Sequence, residues 1–408
     1  MNSLERSGGV EKDGYLSILP SFCARRTQAG KVVLTGKFLS GVLAYQRRWP
    51  MGKVQVLIEE TESADDNLDH VAVDPAELPF ELHVVAYDGP ALEKLLAKSA
   101  VALLAMHCRQ LPLSEVCARL GVPAVYVTEY SLETRLQILR AQRLNPFLRL
   151  RRRVWERGEE RRSVQALRQA GHVQCNGTPT FHAYQPLVHD ALLYFDTRLD
   201  SAMLATPAAI HNRLAQHAQS GILRLAFSGR LIAIKGADHL IRVAAELKSR
   251  AVPFEFLICG GGELEPAMRQ SVNAQGLNEH VKFLGTLDFA SELMPLLRDR
   301  IDLFVCCHRQ GDPSCTYLET MGCGVPIVGY ANAAFQGIAE TSGAGWTVPM
   351  NRPAALAEKI ASLAKRPRDI EEHSLRSLAF AQQHTFEKTF AARVEHLQRI
   401  SRPIPLPV

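Results

Sequence analysis

Two cations stand five residues apart in "FSGRLIAIKGADHLI" (227–241), where Arg230 and Lys235 follow Ser228-Gly229. In a loop at the carboxyl end of a strand, such a pair can hold a diphosphate. Guanidinium binds it as a planar fork and ammonium as a point charge. Further along, "HRQGDPSCTYLETMGCGVPIVGY" (308–330) sets a carboxylate, Glu319, between an apolar turn and a run of small residues. Pro313 and Ser314 suit a helix start, and Gly322-Cys323-Gly324 ahead of Pro326 suits its end. Glu319 then lies about a turn inside a short helix, close to a sheet, where a ligand role outweighs that of a surface glutamate.

A third stretch, "CGGGELEPAM" (259–268), invites a nucleotide reading. Its glycines do not complete Gly-x-Gly-x-x-Gly, because Glu265 takes the last position, and no Gly-x-x-x-x-Gly-Lys-Ser/Thr occurs. Dehydrogenase and ATPase chemistry therefore lose support. The glycines, Gly261 among them, read as a tight turn beside a ligand.

These residues need elements to position them, and the apolar patterning supplies them. Strand-like runs alternate with helix-like runs from end to end, which argues for α/β architecture with parallel sheets covered on both faces. The first series is "YLSILP" (15–20), "KVQVLIE" (53–59), "FELHVVAY" (80–87), "AVALLAMH" (100–107), "PAVYVTEY" (123–130) and "HVQCNG" (172–177). The second is "LRLAFSG" (223–229), "FEFLICGGG" (254–262), "VKFLG" (281–285), "IDLFVCC" (301–307) and "VPIVGY" (325–330). Helices are expected over 31–49 and 90–99, and a connector without strand pattern over 196–221. Two doubly wound domains follow, with a ligand crevice at the carboxyl ends of their strands.

The totals narrow the class. The 408 residues are 47% hydrophobic and 22% charged, an ordinary globular composition. A net charge of +5 is too sparse for a nucleic-acid footprint. The longest apolar runs fall short of a bilayer span, and "MNSLERSGGVEKDG" is charged where a signal peptide needs an apolar core. A cytoplasmic location is expected. The nine cysteines are scattered without a Cys-x-x-Cys pair, so neither a metal site nor a disulfide framework is read. One charged stretch stands apart. "NPFLRLRRRVWERGEERRS" (145–163) opens on the capping pair Asn145-Pro146 and crowds arginines 149, 151, 152, 153 and 157 beside Phe147, Leu148, Val154 and Trp155. Such a helix either packs its apolar side and solvates its arginines, or meets an anionic membrane or a phosphorylated acceptor peripherally.

The order "SGRL…KG", "CGGGEL", "VKFLG", "DPSCTYLETMGCGVPIVGY" resembles the nucleotide-binding half of glycosyltransferase family 4, one of the group 1 glycosyltransferases. The likeness runs from about 222 to 400 and includes "HTFEKTFAARVEHLQRI". In the first half only the layout, the Gly30 turn and "YFDTRLD" (194–200) correspond. The resemblance implies a GT-B fold of two Rossmann-like domains facing a central crevice, with an acceptor-side domain over 1–198 and a nucleotide-sugar-binding domain over 199–383. A helix crossing back to the first domain, and a tail, would fill 384–408. It implies a retaining transfer from a nucleoside diphosphate sugar to a hydroxyl of a glycan, lipid-linked or small-molecule acceptor, without metal or further cofactor.

By the same resemblance Arg230 and Lys235, after Gly229, neutralise the donor diphosphate. Main-chain groups around Phe283 and Leu284 meet the base. Glu319 binds the ribose hydroxyls, while amides of Ser314, Cys315 and Thr316 point at phosphate. Two departures stand out. The family's first glutamate of Glu-x7-Glu falls on Gly311, leaving Asp312 as the nearest carboxylate. The first domain's usual histidine is replaced within Thr128-Glu129-Tyr130, which offers Glu129, with His107 as a second candidate, for the acceptor or sugar. These departures motivate the alternative of a non-catalytic sugar-nucleotide-binding subunit that supports a partner enzyme.

Overall fold

The computed structural model describes residues 14–27, 29–61, 70–142 and 144–401. The N-terminal stretch 1–13 read above for a signal segment, and the tail 402–408, lie outside the described residues.

The first half carries β1 (Tyr15–Leu19), β2 (Arg25–Arg26), β3 (Val32–Thr35), β4 (Val54–Ile58), β5 (His70–Val73), β6 (Glu81–Val84), β7 (Ser99–Ala105), β8 (Ala124–Thr128), β9 (His172–Asn176) and β10 (Asp190–Tyr194). The second carries β11 (Leu223–Ser228), β12 (Phe254–Cys259), β13 (Val281–Gly285), β14 (Leu303–Cys306), β15 (Ile327–Tyr330) and β16 (Trp346–Val348). Two parallel sheets result, in the orders β10-β9-β8-β7-β1-β4-β6 and β13-β12-β11-β14-β15-β16. A small antiparallel sheet, β2-β3-β5, flanks the first.

Both faces of each large sheet are covered, which is why their strands read as nearly continuous apolar runs. In β7, Val101 and Leu103 enter one core cluster while Ala102 and Leu104 enter the cluster on the opposite face. The helix Phe386–Ile400, the returning helix, packs Phe390, Val394 and Leu397 into the first of these clusters.

Two expectations need correction. The run 31–49 is not all helix: its first residues, rich in β-branched valine, pair as β3, and Thr35 then caps a helix over Gly36–Arg48 by accepting from the Phe38 amide. The connector 196–221 contains the helix Pro207–Ser220, capped by Thr206. Its buried Arg213 donates to the carbonyls of Arg298, Cys323 and Gly324, so a polar residue occupies the place where an apolar signal was sought.

Candidate active site

In each large sheet the strand order reverses once, between β1 and β7 and between β11 and β14. Loops leaving the carboxyl ends on either side of such a reversal part and leave a crevice. In the second domain these loops are 229–236 and 307–314, so sheet topology brings Lys235 to Asp312, just ahead of the helix Cys315–Gly322, the crevice helix, and sets Arg230 on the same loop as Lys235.

Glycines make that approach possible. Gly236 has φ +67°, and a Cβ there would fall 2.0 Å from the Cys307 carbonyl oxygen. Gly260 and Gly262 would strike the backbone of Gly229 and Leu231 at 2.1 and 2.6 Å. Gly261, whose nearest neighbour would be 3.7 Å away, is held through its carbonyl by the Leu231 amide. Two of the three glycines therefore serve the packing of loop on loop.

Lys235 is buried and donates to Asp312 Oδ2 at 2.5 Å, where Gln310 Nε2 donates as well at 3.0 Å. Arg230 is exposed, and its side chain makes no hydrogen bond or ion pair among the described residues, its carbonyl accepting from the Ile232 amide. Glu319, on the crevice helix, is 4% exposed and accepts from Arg198 Nε at 3.0 Å, while the Arg198 guanidinium lies 4.0 Å over the Phe289 ring. Burial raises the Glu319 carboxyl above its usual range, against the pull of Arg198. Phe283 and Leu284 lie on β13, the edge strand, with Leu284 exposed and Arg269 4.5 Å over the Phe283 ring.

The helix start is as expected from Pro313, with Ser314 as N-cap, but the Ser314 hydroxyl makes no capping bond. The first residue of the helix, Cys315, meets the other domain through its side chain. There Lys37 Nζ reaches Cys315 Sγ at 3.4 Å and Asp196 Oδ2 at 2.5 Å. Burial pushes the Cys315 thiol up to about 12, which keeps it neutral. Burial acts to lower Lys37, yet its ion pair with Asp196 helps to hold it above its usual value as a cation. Asp196 is itself aimed by Asn176, whose Oδ1 accepts from the Asp196 amide at 3.0 Å.

Glu129 sits just past β8 at the same place. Its side chain is open to solvent, but the crevice walls stand round it, and desolvation and then Asp196 raise its carboxyl while Lys37 lowers it. It also borders a cavity of about 260 Å³ in the first domain, at the β1–β7 reversal. Apolar groups, including Ile18, Phe22, Phe38, Tyr45, Val127 and Phe390, line most of that cavity, and Lys37, Glu129, Asp196 and Arg393 form its polar end. His107, exposed and outside this lining, is not brought to the site.

Gly311 is buried, and a Cβ there would meet Ala333 Cβ and Thr134 Oγ1, each at 3.2 Å. The helix Leu132–Ala141, the bridging helix, crosses from the first domain to hold this residue. Thr134 Oγ1 donates to its carbonyl at 3.2 Å, and its amide donates to Gln137 Oε1 at 2.8 Å. A side chain at 311 would press on both neighbours, which would have to give by a few tenths of an ångström to admit it.

Lys37, Asp196, Arg198, Thr134 and Gln137 were not singled out as site residues from the sequence. Asp196 and Arg198 alternate within "YFDTRLD", a signal that could have found them. Lys37 was hidden by reading 31–49 as one helix.

With this geometry in hand, the comparisons with known proteins are specific. Residues 215–379 match the model of the family described as glycosyl transferases group 1. That match covers most of the second domain. Alpha-D-kanosaminyltransferase of Streptomyces kanamyceticus is 28% identical over 141 residues, 35% of this chain and 36% of that protein. A GDP-mannose-dependent alpha-(1-6)-phosphatidylinositol monomannoside mannosyltransferase of Mycolicibacterium smegmatis is 33% identical over 106 residues, 24% of this chain and 27% of that one. The chain thus aligns with about a third or less of the length of these curated relatives. Solved structures extend the likeness beyond the group 1 domain. Anabaena HepE in complex with UDP superposes with a TM-score of 0.63 at 14% identity, over 95% of this chain and 99% of that one. WaaG, a glycosyltransferase involved in lipopolysaccharide biosynthesis, gives 0.58 at 12%, over 94% and 99%. The fold is GT-B, two Rossmann-like domains about one crevice.

Proposed function

We propose that the chain is a glycosyltransferase that moves a sugar, with retention of configuration, from a nucleoside diphosphate sugar to a hydroxyl acceptor. The observation that carries this reading is the meeting of two sets of groups at the amino end of the crevice helix. Arg230, the Lys235–Asp312 pair and Glu319 stand on the group 1 side, and Lys37, Asp196 and Glu129 stand on the other. The curated relatives named above are glycosyltransferases, and HepE is known in complex with UDP, which supports a nucleotide donor.

In this reading the donor diphosphate lies on the amides at the start of the crevice helix, between Arg230 and Lys235. These charges are strongest against the departing nucleoside diphosphate, where negative charge accumulates in the transition state. Glu319 turns from Arg198 to the ribose hydroxyls, and Phe283 and Leu284 border the base. The acceptor hydroxyl attacks on the face that the diphosphate leaves, and a diphosphate oxygen takes its proton. The acceptor lies in the 260 Å³ cavity, its apolar part among Phe22, Phe38 and Tyr45 and its hydroxyl toward Glu129 and Lys37. No step calls on a metal.

At Gly311 a Cβ would crowd Ala333 and Thr134, so packing offers a reason for the missing glutamate other than a non-catalytic subunit. The test is calorimetric titration with nucleoside diphosphates and then their sugars, followed by product mass against candidate acceptors. Binding of a nucleoside diphosphate with turnover of its sugar is expected. Failure of every nucleoside diphosphate to bind overturns the donor site, and binding without hydrolysis or transfer restores the non-catalytic alternative.

A further inference from the structure

The helix Pro146–Ala170, the arginine helix, is amphipathic the wrong way round for a packed helix over its first three turns. Its polar stripe faces the protein. Glu156 and Glu160 are held by Arg135 of the bridging helix at 2.9 and 2.6 Å, and Arg149 donates to the carbonyls of Gln142 and Leu144, each at 3.3 Å. Its apolar stripe faces solvent. Phe147 is 76% exposed, Leu150 58%, Val154 62% and Trp155 53%, with Leu148 at 41%. Nine large apolar side chains are exposed among the described residues, and five of them are these. The packing reading of this helix is thereby corrected, because its apolar side is not the side that packs.

At 3.6 residues per turn, Leu150, Val154, Phe147, Arg151, Trp155 and Leu148 succeed one another round an arc of about 160°. Arg152 borders one edge of the arc and Arg157 the other, and Arg151 stands within it. From 147 to 155 there are four arginines and no acid. A soluble protein does not leave a contiguous apolar face in water without a use for it. The charge and the aromatic ends of the arc fit one occupant. Phe and Trp sink to the headgroup boundary of a bilayer, while long arginine side chains reach out along the surface to anionic headgroups.

We propose that the arginine helix is a docking surface for an anionic lipid bilayer, lying in the plane of the interface with Phe147, Leu150, Val154 and Trp155 inserted. The helix is fastened to the bridging helix, which holds Gly311 at its other contact, so docking would fix the crevice at a set height above the membrane. The proposal does not depend on the donor assignment, since it rests on residues outside the crevice.

The test is flotation of the full chain with vesicles of phosphatidylcholine alone and of phosphatidylcholine with phosphatidylglycerol, at low and high salt. Flotation with the anionic vesicles at low salt, release at high salt and a blue shift of Trp155 fluorescence on binding are expected. Arg151→Glu and Arg152→Glu should each lower partitioning by roughly fivefold or more. Phe147→Ser with Trp155→Ser should abolish it with the charge unchanged. All of these side chains are exposed, so circular dichroism and melting should match the parent, and the charge variants stand as an independent readout. No flotation with anionic vesicles, or equal flotation of the parent and both sets of variants, overturns the proposal. So does a parent that sediments as a dimer while Phe147→Ser/Trp155→Ser sediments as a monomer, because the occupant would then be a second copy of the chain.

Discussion

Arg230 and Lys235 are both cations, but substituting them should give different results. Arg230 is exposed, so Arg230→Ala removes a charged contact to the diphosphate and nothing else. It should cost about 1.5–3 kcal/mol of nucleoside diphosphate affinity with the melting temperature unchanged. Lys235→Ala also strips a half-buried carboxylate, Asp312, of its ion pair, and should cost about 2–5 kcal/mol in binding together with some stability. Calorimetry and a melting curve on each variant separate the two cases. Equal, undiminished diphosphate binding by both would refute the donor site. Asp312→Asn keeps an acceptor for Lys235 and Gln310 but releases the full lysine charge. Nucleoside diphosphate affinity should then hold or rise, while turnover falls and discrimination between donor sugars weakens. Turnover and sugar choice equal to the parent's would leave Asp312 as a turn residue only and move attention to Glu129.

Strands and loops bear on the site through the contacts their backbones permit. Gly260→Ala forces a Cβ against the Gly229 carbonyl at 2.1 Å from a backbone at φ +122°, and should destabilise by about 3 kcal/mol or more. Gly261→Ala, next to it, meets nothing closer than 3.7 Å and should melt near the parent temperature. Comparable melting of the two variants would show that loop-on-loop packing is not what the glycines serve. From the sequence these positions were legible only as a turn, because the partner backbone at 229–231 comes from another strand's loop. The same limit runs through the molecule. Parallel strands such as β7 and β12 were readable, since burial on both faces leaves an apolar run, and so were the positions of Arg230 and Lys235 past a strand end and of Glu319 inside a short helix. β3 was lost within a longer run that becomes helix at Gly36. The helix Pro207–Ser220 was lost because its inward face carries Arg213. Lys37 and the bridging pair Thr134 and Gln137 were silent because their roles arise only when the two domains meet.

At the scale of the whole molecule, four histidines whose protonation burial opposes bear on its behaviour in acid. His239, His384 and His396 are lowered to about 4, and His308 well below its usual value, in each case by burial first. A histidine held neutral in the fold binds its proton in the unfolded chain at about 6.5, so between the two values the unfolded state carries more protons. The stability contributed by these histidines should therefore be fully present above pH 6.5 and fall as pH drops toward 4, by up to about 1.4 kcal/mol per pH unit for each, partly offset by His217, Glu129 and Glu319, which are shifted upward. Melting temperature measured across that window checks the sign, and a flat profile would contradict it. The returning helix has a consequence in time as well as in space. Phe390, Val394 and Leu397 complete a core whose other members begin at Leu16, so the first domain, made before the second, lacks part of its interior until synthesis has passed Leu397. At about 5–20 residues per second, the nascent first domain waits on the order of ten seconds or more for those side chains. The second domain, whose main core cluster spans Phe195 to Ala381, is complete before the returning helix emerges. Synthesis order and folding order should thus be reversed. A chain stalled after residue 383 should yield a protease-resistant second domain beside a digestible first one, and resistance of the first should appear only once the last helix is added.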